Sequence, residues 1–459
     1  MAGPEGWLTL AEVAAATRGE TCGDPQTPVC GISVHSARVR SGDLFVALRG
    51  PRRDGHDFVQ AAAAQGAAAA LVCRPVEAKI PLVLVPDTTR ALLPLGALWR
   101  SRFAVRAIGV TGSVGKTTTA QLIKSVLSST FPVHASAPEW NAELGVPLTL
   151  FGLEATHRFV VVELGMRGEG QIRALCEAVR PEIGVVTNVG TAHLELLGSL
   201  EAIARAKAEL VETLPEDGWA VLNADDPRVR AMGRRTRARV VFYGIEAGEV
   251  RAEDIRVERE GVRFVLCTPE GRFPASLPLP GRHFVSNALA GAAVGWVCGV
   301  PPEAVVSALR RFRPPRMRLE VWTTPGGVLL VHDAYNASPE SLRAAFESVR
   351  VLREGRRLVA VLGEMRELGP VRETAHLETG RQCVEEGVTV LVAVGEGGAL
   401  IARGALEAGM PEERILRVRD AQAAARCTVE LVRPGDVVLV KASRAVGLER
   451  VAEALGWSG

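Results

Sequence analysis

The stretch GVTGSVGKTTTAQ, residues 109–121, constrains this chain more than any other. A strand-like run, RAIGV, precedes it and a helix-like run, TTTAQLIKSVLSS, follows, so the glycines fall in a strand-to-helix turn. Gly112 and Gly115 let the backbone approach phosphate oxygens. Lys116 supplies a point charge for β- and γ-phosphates, the Thr117 hydroxyl suits Mg2+, and the amides at the helix start face the anion. The strict phosphate-loop pattern wants glycine where this chain has Val110. The nearest glycines are Gly109 and Gly112, so the spacing is off by one. The bland alternative is a glycine-rich turn that holds nothing; the intact strand, GKT and helix speak against it.

Such a turn belongs at the end of a parallel strand, and the chain supplies several. Residues 1–103 carry short apolar runs, DLFVAL (43–48), AALVC (69–73) and LVLVP (82–86), with helix-like spacers. From the loop onward come RFVVVEL (158–164), EIGVVTNV (182–189), WAVLNA (219–224) and ARVVFYG (238–244), with a helix predicted over 199–214. Near-continuous β-branched runs alternating with helices predict a parallel sheet covered on both faces. Residues 250–280 alternate polar and apolar and read as antiparallel strands. Helices follow at about 284–298 and 302–311. The Pro- and Arg-rich RRFRPPRMR (310–318) reads as a linker. Beyond it the alternation restarts with strands at 328–333, 356–363, 388–394, 415–418 and 437–442, and a last helix at 446–455. The fold class is therefore α/β in three parts: 1–103, 104–314 and 315–459.

Composition narrows the function. Of 459 residues 47% are hydrophobic and 23% charged, and the net charge of +2 argues against nucleic acid held by bulk electrostatics. Eight cysteines without a CxxC pair indicate neither a zinc site nor a disulfide framework. The start, MAGPEGWLTLAEV, has no signal-peptide pattern, and AAAAQGAAAALVC (61–73) is too short to span a bilayer and reads as helix, turn and strand. A cytoplasmic enzyme is expected.

The loop form GxTGSxGKTTT, with WNAELGVPLTL (140–150), VVVELGM (160–166), TNVGTAHLE (187–195), ARAKAEL (204–210), LPGRHFVSNALA (279–290), HDAYNASPESL (332–342), VLGEMRELG (361–369) and VLVKASRAVGLE (438–449), resembles the Mur ligase family. GDLFVALRG (42–50) and DGHDF (54–58) agree, so the likeness runs through nearly the whole chain in order. The resemblance implies an N-terminal domain for the UDP end of a precursor, a central ATPase-like domain and a C-terminal Rossmann-like domain. It points to the branch that joins D-Ala-D-Ala to UDP-MurNAc-tripeptide through an acyl phosphate, using ATP and two Mg2+ ions, as a monomer.

The resemblance also implies roles. Ser113 and Thr118 join the loop residues at ATP. Asn287 and Asn336 go to the adenine region, Tyr335 to its stacking surface, Asp333 to the ribose and Arg318 to the γ-phosphate. Metal ligands are Thr117, Glu163, His193 and a carbamylated Lys207, since an ammonium has no lone pair to give. Lys116, Lys207, His193 and Arg318 form the catalytic set. Ser36 and Asn141 are expected to contact the precursor, and Lys441 and Ser443 the dipeptide carboxylate. Arg318 and Asp333 lie across the linker from the loop, so their roles require the domains to close. The chain departs from the family at Val114, at His35 and Ala37 (an Asp and an Arg elsewhere), at His332, Ser338 and Phe284. The competing readings are a sister ligase adding the diamino acid, whose Asp-Asn-Pro-Arg signature is missing, folylpolyglutamate synthase, and a non-catalytic nucleotide-binding scaffold.

Overall fold

A computed structural model describes residues 8–457. Residues 1–7, part of the start read above as lacking a signal pattern, lie outside the described residues, as do 458 and 459.

Three sheets are built in chain order. The first has five strands, ordered Glu20–Cys22, Leu82–Leu84, Ala69–Val72, Asp43–Val46 and Gly31–Ser33, with a small antiparallel pair, Leu8–Thr9 and Pro28–Val29, beside it. The run 61–73 forms a helix, Val59–Ala64, a turn and the buried strand Ala69–Val72. The central sheet has nine strands. Its middle runs Arg239–Gly244, Trp219–Asn223, Ile183–Val186, Arg106–Thr111, Phe159–Glu163 and Val133–Ala135, all parallel. All five residues of Phe159–Glu163 and all four of Ile183–Val186 are buried, as a strand covered on both faces requires. Val250–Glu258 pairs in parallel with Arg239–Gly244 before two antiparallel hairpin partners, Gly261–Thr268 and Gly271–Leu277, so the appended segment is mixed and not purely antiparallel. The C-terminal sheet is parallel apart from its edge strand, Glu320–Thr323, and is ordered Glu320–Thr323, Leu329–His332, Val437–Lys441, Leu358–Leu362, Val390–Val394 and Ile415–Val418.

Two differences from the sequence expectation have local causes. The strand expected over 182–189 ends at Val186, because Thr187 and Asn188 turn away to hydrogen-bond the phosphate loop. The helix expected over 446–455 begins at Glu449, because Gly447 takes a left-handed conformation after a short 3-10 turn at Arg444–Val446. The helix expected over 199–214 spans Leu200–Glu212, with the Ser199 hydroxyl capping the Ala202 amide at 3.1 Å.

The apolar core under one face of the central sheet continues without a break into the C-terminal domain. Phe284, Val285 and Leu289 on helix Arg282–Val297 belong to the same buried cluster as Leu342, Phe346 and Val349 on helix Pro339–Arg353, and the two helices pack together. This seam sets the C-terminal domain against the carboxyl ends of the central strands, where ligand sites form in open α/β sheets.

Candidate active site

A cavity of about 360 Å³ lies between the two domains and is lined by the phosphate loop, Glu163, His193, Arg318, Tyr335 and Asp333 among others. The loop follows strand Arg106–Thr111 and opens helix Lys116–Ser128. Gly115 has φ +85, and a Cβ there would stand 2.8 Å from Asn287 Oδ1. Only glycine gives that backbone and that clearance without strain. Beside it Val114 has both backbone groups held: its amide donates to Asn188 Oδ1 and its carbonyl accepts from Asn188 Nδ2, each at 2.9 Å, and from Thr187 Oγ1 at 2.7 Å. Lys116 Nζ donates to the Gly112 carbonyl at 2.9 Å, and burial pushes its pKa down against the pull of Glu163. The buried Ser113 Oγ is bonded to both backbone groups of Gly190, and Thr118 is buried on the first helical turn.

Glu163 ends its strand at the floor of the cavity. Its Oε2 accepts from Thr117 Oγ1 at 2.7 Å and its Oε1 from Asn141 Nδ2 at 2.8 Å. From the other domain, Arg318 Nη2 donates to the same Thr117 oxygen at 2.9 Å and its guanidinium lies 3.8 Å from the centroid of the Tyr335 ring. Met317 and Leu319 on either side of Arg318 have φ +60 and +51, a backbone that costs side-chain-bearing residues on the order of 1–2 kcal/mol each. The Leu319 amide donates to Asp333 Oδ1 at 3.0 Å, which ties this turn to the ribose candidate. Asn287 Oδ1 accepts from Thr119 Oγ1, and Asn336 lines the far wall.

His193 has a left-handed backbone, φ +67, and its Nδ1 lies 2.5 Å from Glu367 Oε2, off the line of a well-formed hydrogen bond. Lys207 is 1% exposed on helix Leu200–Glu212. Among the described residues no carboxylate pairs with it. Burial, and then the charge of Lys116, hold its pKa well below the ordinary lysine range. Burial disfavours the ammonium form here, and a carbamate formed on this amine would supply the oxygen donors an ammonium lacks.

These residues fit Mg2+. Among the described residues no three His, Cys, Asp or Glu side chains gather into a ready cage. Mg2+ is usually held by one or two carboxylates together with phosphates and water, and Glu163 with Thr117 offers such a pair of oxygens facing the cavity.

Three expected contacts lie outside the cavity or are already engaged. Ser36 lies in the N-terminal domain on a 3-10 turn and does not line the cavity. Lys441 lines it, but its ammonium is already bonded to Asp333 Oδ2 at 2.5 Å and to the Asn336 carbonyl at 2.9 Å. Ser443 is buried away from the cavity, where its hydroxyl accepts from the Arg366 amide at 2.9 Å. Four residues that the sequence reading did not assign bear on the site: Glu340 and Glu367 hold the His193 loop from outside the cavity, and Asn188 and His283 line it. The last is half-buried in the cavity wall with its Nδ1 shut off from solvent, and burial pushes its pKa down to about 4. All four lie inside quoted motifs, Asn188 in TNVGTAHLE, Glu367 in VLGEMRELG, Glu340 in HDAYNASPESL and His283 in LPGRHFVSNALA, and that placement was the signal the sequence offered.

Known proteins place the chain. The Mur ligase family catalytic domain matches residues 28–94, the Mur ligase middle domain 110–295, and the Mur ligase glutamate ligase domain 317–444. The UDP-N-acetylmuramoyl-tripeptide–D-alanyl-D-alanine ligase of Mycobacterium tuberculosis is 39% identical, over 98% of this chain and 97% of that one. A crystal structure of MurF from Acinetobacter baumannii superposes with TM-score 0.87 at 32% identity, covering 99% of this chain and all of that one. MurF from Thermotoga maritima in complex with ADP gives TM-score 0.80 at 30% identity, over 93% and 96% of the two chains.

Proposed function

The chain belongs to the Mur ligase family, in its MurF-type branch, and we propose how it carries out the reaction named in its full-length relatives: the ATP-dependent joining of D-alanyl-D-alanine to UDP-N-acetylmuramoyl-tripeptide. It is a ligase that forms a peptide bond with release of ADP and phosphate. The observation that carries the mechanism is the convergence of Thr117, Glu163 and Arg318 on one corner of the interdomain cavity.

A free carboxylate has no leaving group, so the tripeptide carboxylate first takes the γ-phosphoryl group of ATP. The amine of the dipeptide then attacks the acyl phosphate and phosphate leaves. Lys116 and the loop amides hold the β- and γ-phosphates, and the Arg318 fork meets the γ-phosphate as charge shifts during transfer. The stack on Tyr335 fixes the plane of that fork. Asp333, anchored by Lys441 and the Leu319 amide, faces the ribose, and Asn287 and Asn336 flank the adenine. Mg2+, as two ions, would neutralise the phosphates, with Thr117, Glu163, His193 and carbamylated Lys207 holding them. Asn141 connects the muramyl-peptide end to Glu163, and Ser36 serves the UDP end. Contact of Lys441 with the dipeptide carboxylate requires exchange of its pair with Asp333. The reaction is read as cytoplasmic and the enzyme as a monomer; no helix among the described residues is long and apolar enough to cross a membrane.

Phosphate release is the test. With ATP and UDP-MurNAc-tripeptide, D-Ala-D-Ala should trigger it and glutamate or a diamino acid should not. Release with those acceptors and none with the dipeptide would overturn the reading.

A further inference from the structure

His193 and Glu367 come from different domains, and each is carried by a segment held firmly from elsewhere. Two residues before His193, the Thr191 amide and hydroxyl donate to Glu340 Oε1 at 3.1 and 3.0 Å, from the first turn of helix Pro339–Arg353. On its other side the same loop meets the phosphate loop, where the Gly190 amide donates to Ser113 Oγ at 2.9 Å. Glu367 ends a segment in which successive residues are each gripped. Arg372 holds Glu364 through Nε and Nη2 at 2.8 and 2.7 Å. The Met365 amide donates to buried His376 Nε2 at 2.9 Å and the Arg366 amide to Ser443 Oγ at 2.9 Å. The Glu195 amide then crosses the domain border to the Glu367 carbonyl at 3.2 Å. Glu367, like His193, has a left-handed backbone, with φ +61 and +67.

Glu367 Oε2 stands 2.5 Å from His193 Nδ1, short of hydrogen-bond alignment; two facing lone pairs at that distance repel, so the contact is favourable only with the proton on Nδ1, which leaves the lone pair on Nε2. We propose that Glu367 is a positioning residue that fixes the ring and tautomer of His193 for metal binding, and that it does so only while the C-terminal domain is docked on the central one. Metal affinity is thereby made conditional on closure. Glu340 grips the same loop without touching the imidazole, so the two carboxylates divide the work: one docks the loop and the other aims the ligand. The inference rests on the reading of His193 as a ligand.

Mn2+ serves as the probe, titrated by electron paramagnetic resonance against enzyme with ADP present. His193→Ala sets the loss of the ligand itself. Glu367→Ala should weaken Mn2+ binding about tenfold or more, the usual cost of losing a ligand's carboxylate partner. Glu340→Gln should stay within about twofold of wild type, because Arg318 and the apolar seam still dock the domains. In hydrogen exchange the 190–195 amides should open faster in Glu340→Gln, which shows that the docking contact was touched. Unchanged Mn2+ affinity in Glu367→Ala or in His193→Ala would overturn the proposal, and so would an equal loss in Glu340→Gln. Phosphate release by the wild-type enzyme is followed on the same preparations. Its failure would count against the functional reading, whereas the contrast among variants bears on Glu367 alone.

Discussion

Arg318 and Thr117 stand 201 positions apart in the chain, yet the guanidinium of one donates to the hydroxyl of the other at 2.9 Å across the domain border. The same hydroxyl donates to Glu163, so a residue of the C-terminal domain completes a corner begun by the phosphate loop.

Arg318→Lys tests that corner. Lysine keeps the charge but loses the planar fork and the stack on Tyr335 at 3.8 Å. It should lower kcat/KM by about 100-fold, or about 2.7 kcal/mol of transition-state stabilisation. Steady-state phosphate release measures it, and a loss under threefold would remove Arg318 from the reaction.

Lys207→Ala should abolish most activity, by about 100-fold or more for loss of a charged group at the reacting phosphates. Acetate or chloride should restore part of it by occupying the space of the carbamate. The lowered pKa of Lys207 adds a pH arm. Carbamylation needs the neutral amine, so at fixed dissolved CO2 the reactivation of decarbamylated enzyme should already be fast at pH values well below those at which an ordinary lysine reacts. A Lys207→Ala enzyme as active as wild type ends the assignment.

Asn188→Ala and Val114→Ala should part company. The first removes two hydrogen bonds that hold the loop backbone and should raise KM for ATP about tenfold, from roughly 1.5 kcal/mol of lost order. The second removes a side chain whose backbone stays held, and its KM should move less than about threefold. Equal effects would show that the side chain and not the main chain matters at this position.

Acid should weaken the fold between pH 6.5 and 4. His283, His134, His332 and His376 are all held below the ordinary imidazole value, chiefly by burial, with His283 at about 4. The unfolded chain then binds protons that the folded one refuses, so stability is complete above 6.5 and falls as pH drops through the window. For His283 alone the limit is on the order of 3 kcal/mol. Thermal midpoints from pH 7 to 4.5 check it; a flat profile contradicts it.

His332→Leu should stabilise the protein. Both ring nitrogens are buried without a hydrogen-bond partner among the described residues, and the ring packs edge-on against Trp457 at 4.6 Å. Replacing them with methyl groups removes a desolvation cost of about 1 kcal/mol. A higher thermal midpoint at pH 7 is expected, and a lower one refutes the account.

The sheets were readable because β-branched runs such as FVVVE can be buried on both faces only in a parallel sheet, and that is a local signal. The phosphate loop was readable for the same reason, since strand, glycines and helix lie within twenty residues. What could not be read was pairing at long range. Nothing in the residue types tells that Lys441 spends its charge on Asp333, or that the Met317–Leu319 turn takes a left-handed backbone reserved more often for glycine. The partners Asn188, Glu340 and Glu367 act through distances that only the docked domains define. Their motifs marked them as present, without saying what they touch.

The buried seam between helices Arg282–Val297 and Pro339–Arg353 has a thermal consequence. Its grip loosens on cooling, while the polar contacts at Thr117 and Thr191 do not share that dependence. Docking of the C-terminal domain on the central one thus leans more on those polar contacts in the cold, and the two domains sharing this core should melt as one cooperative unit when heated.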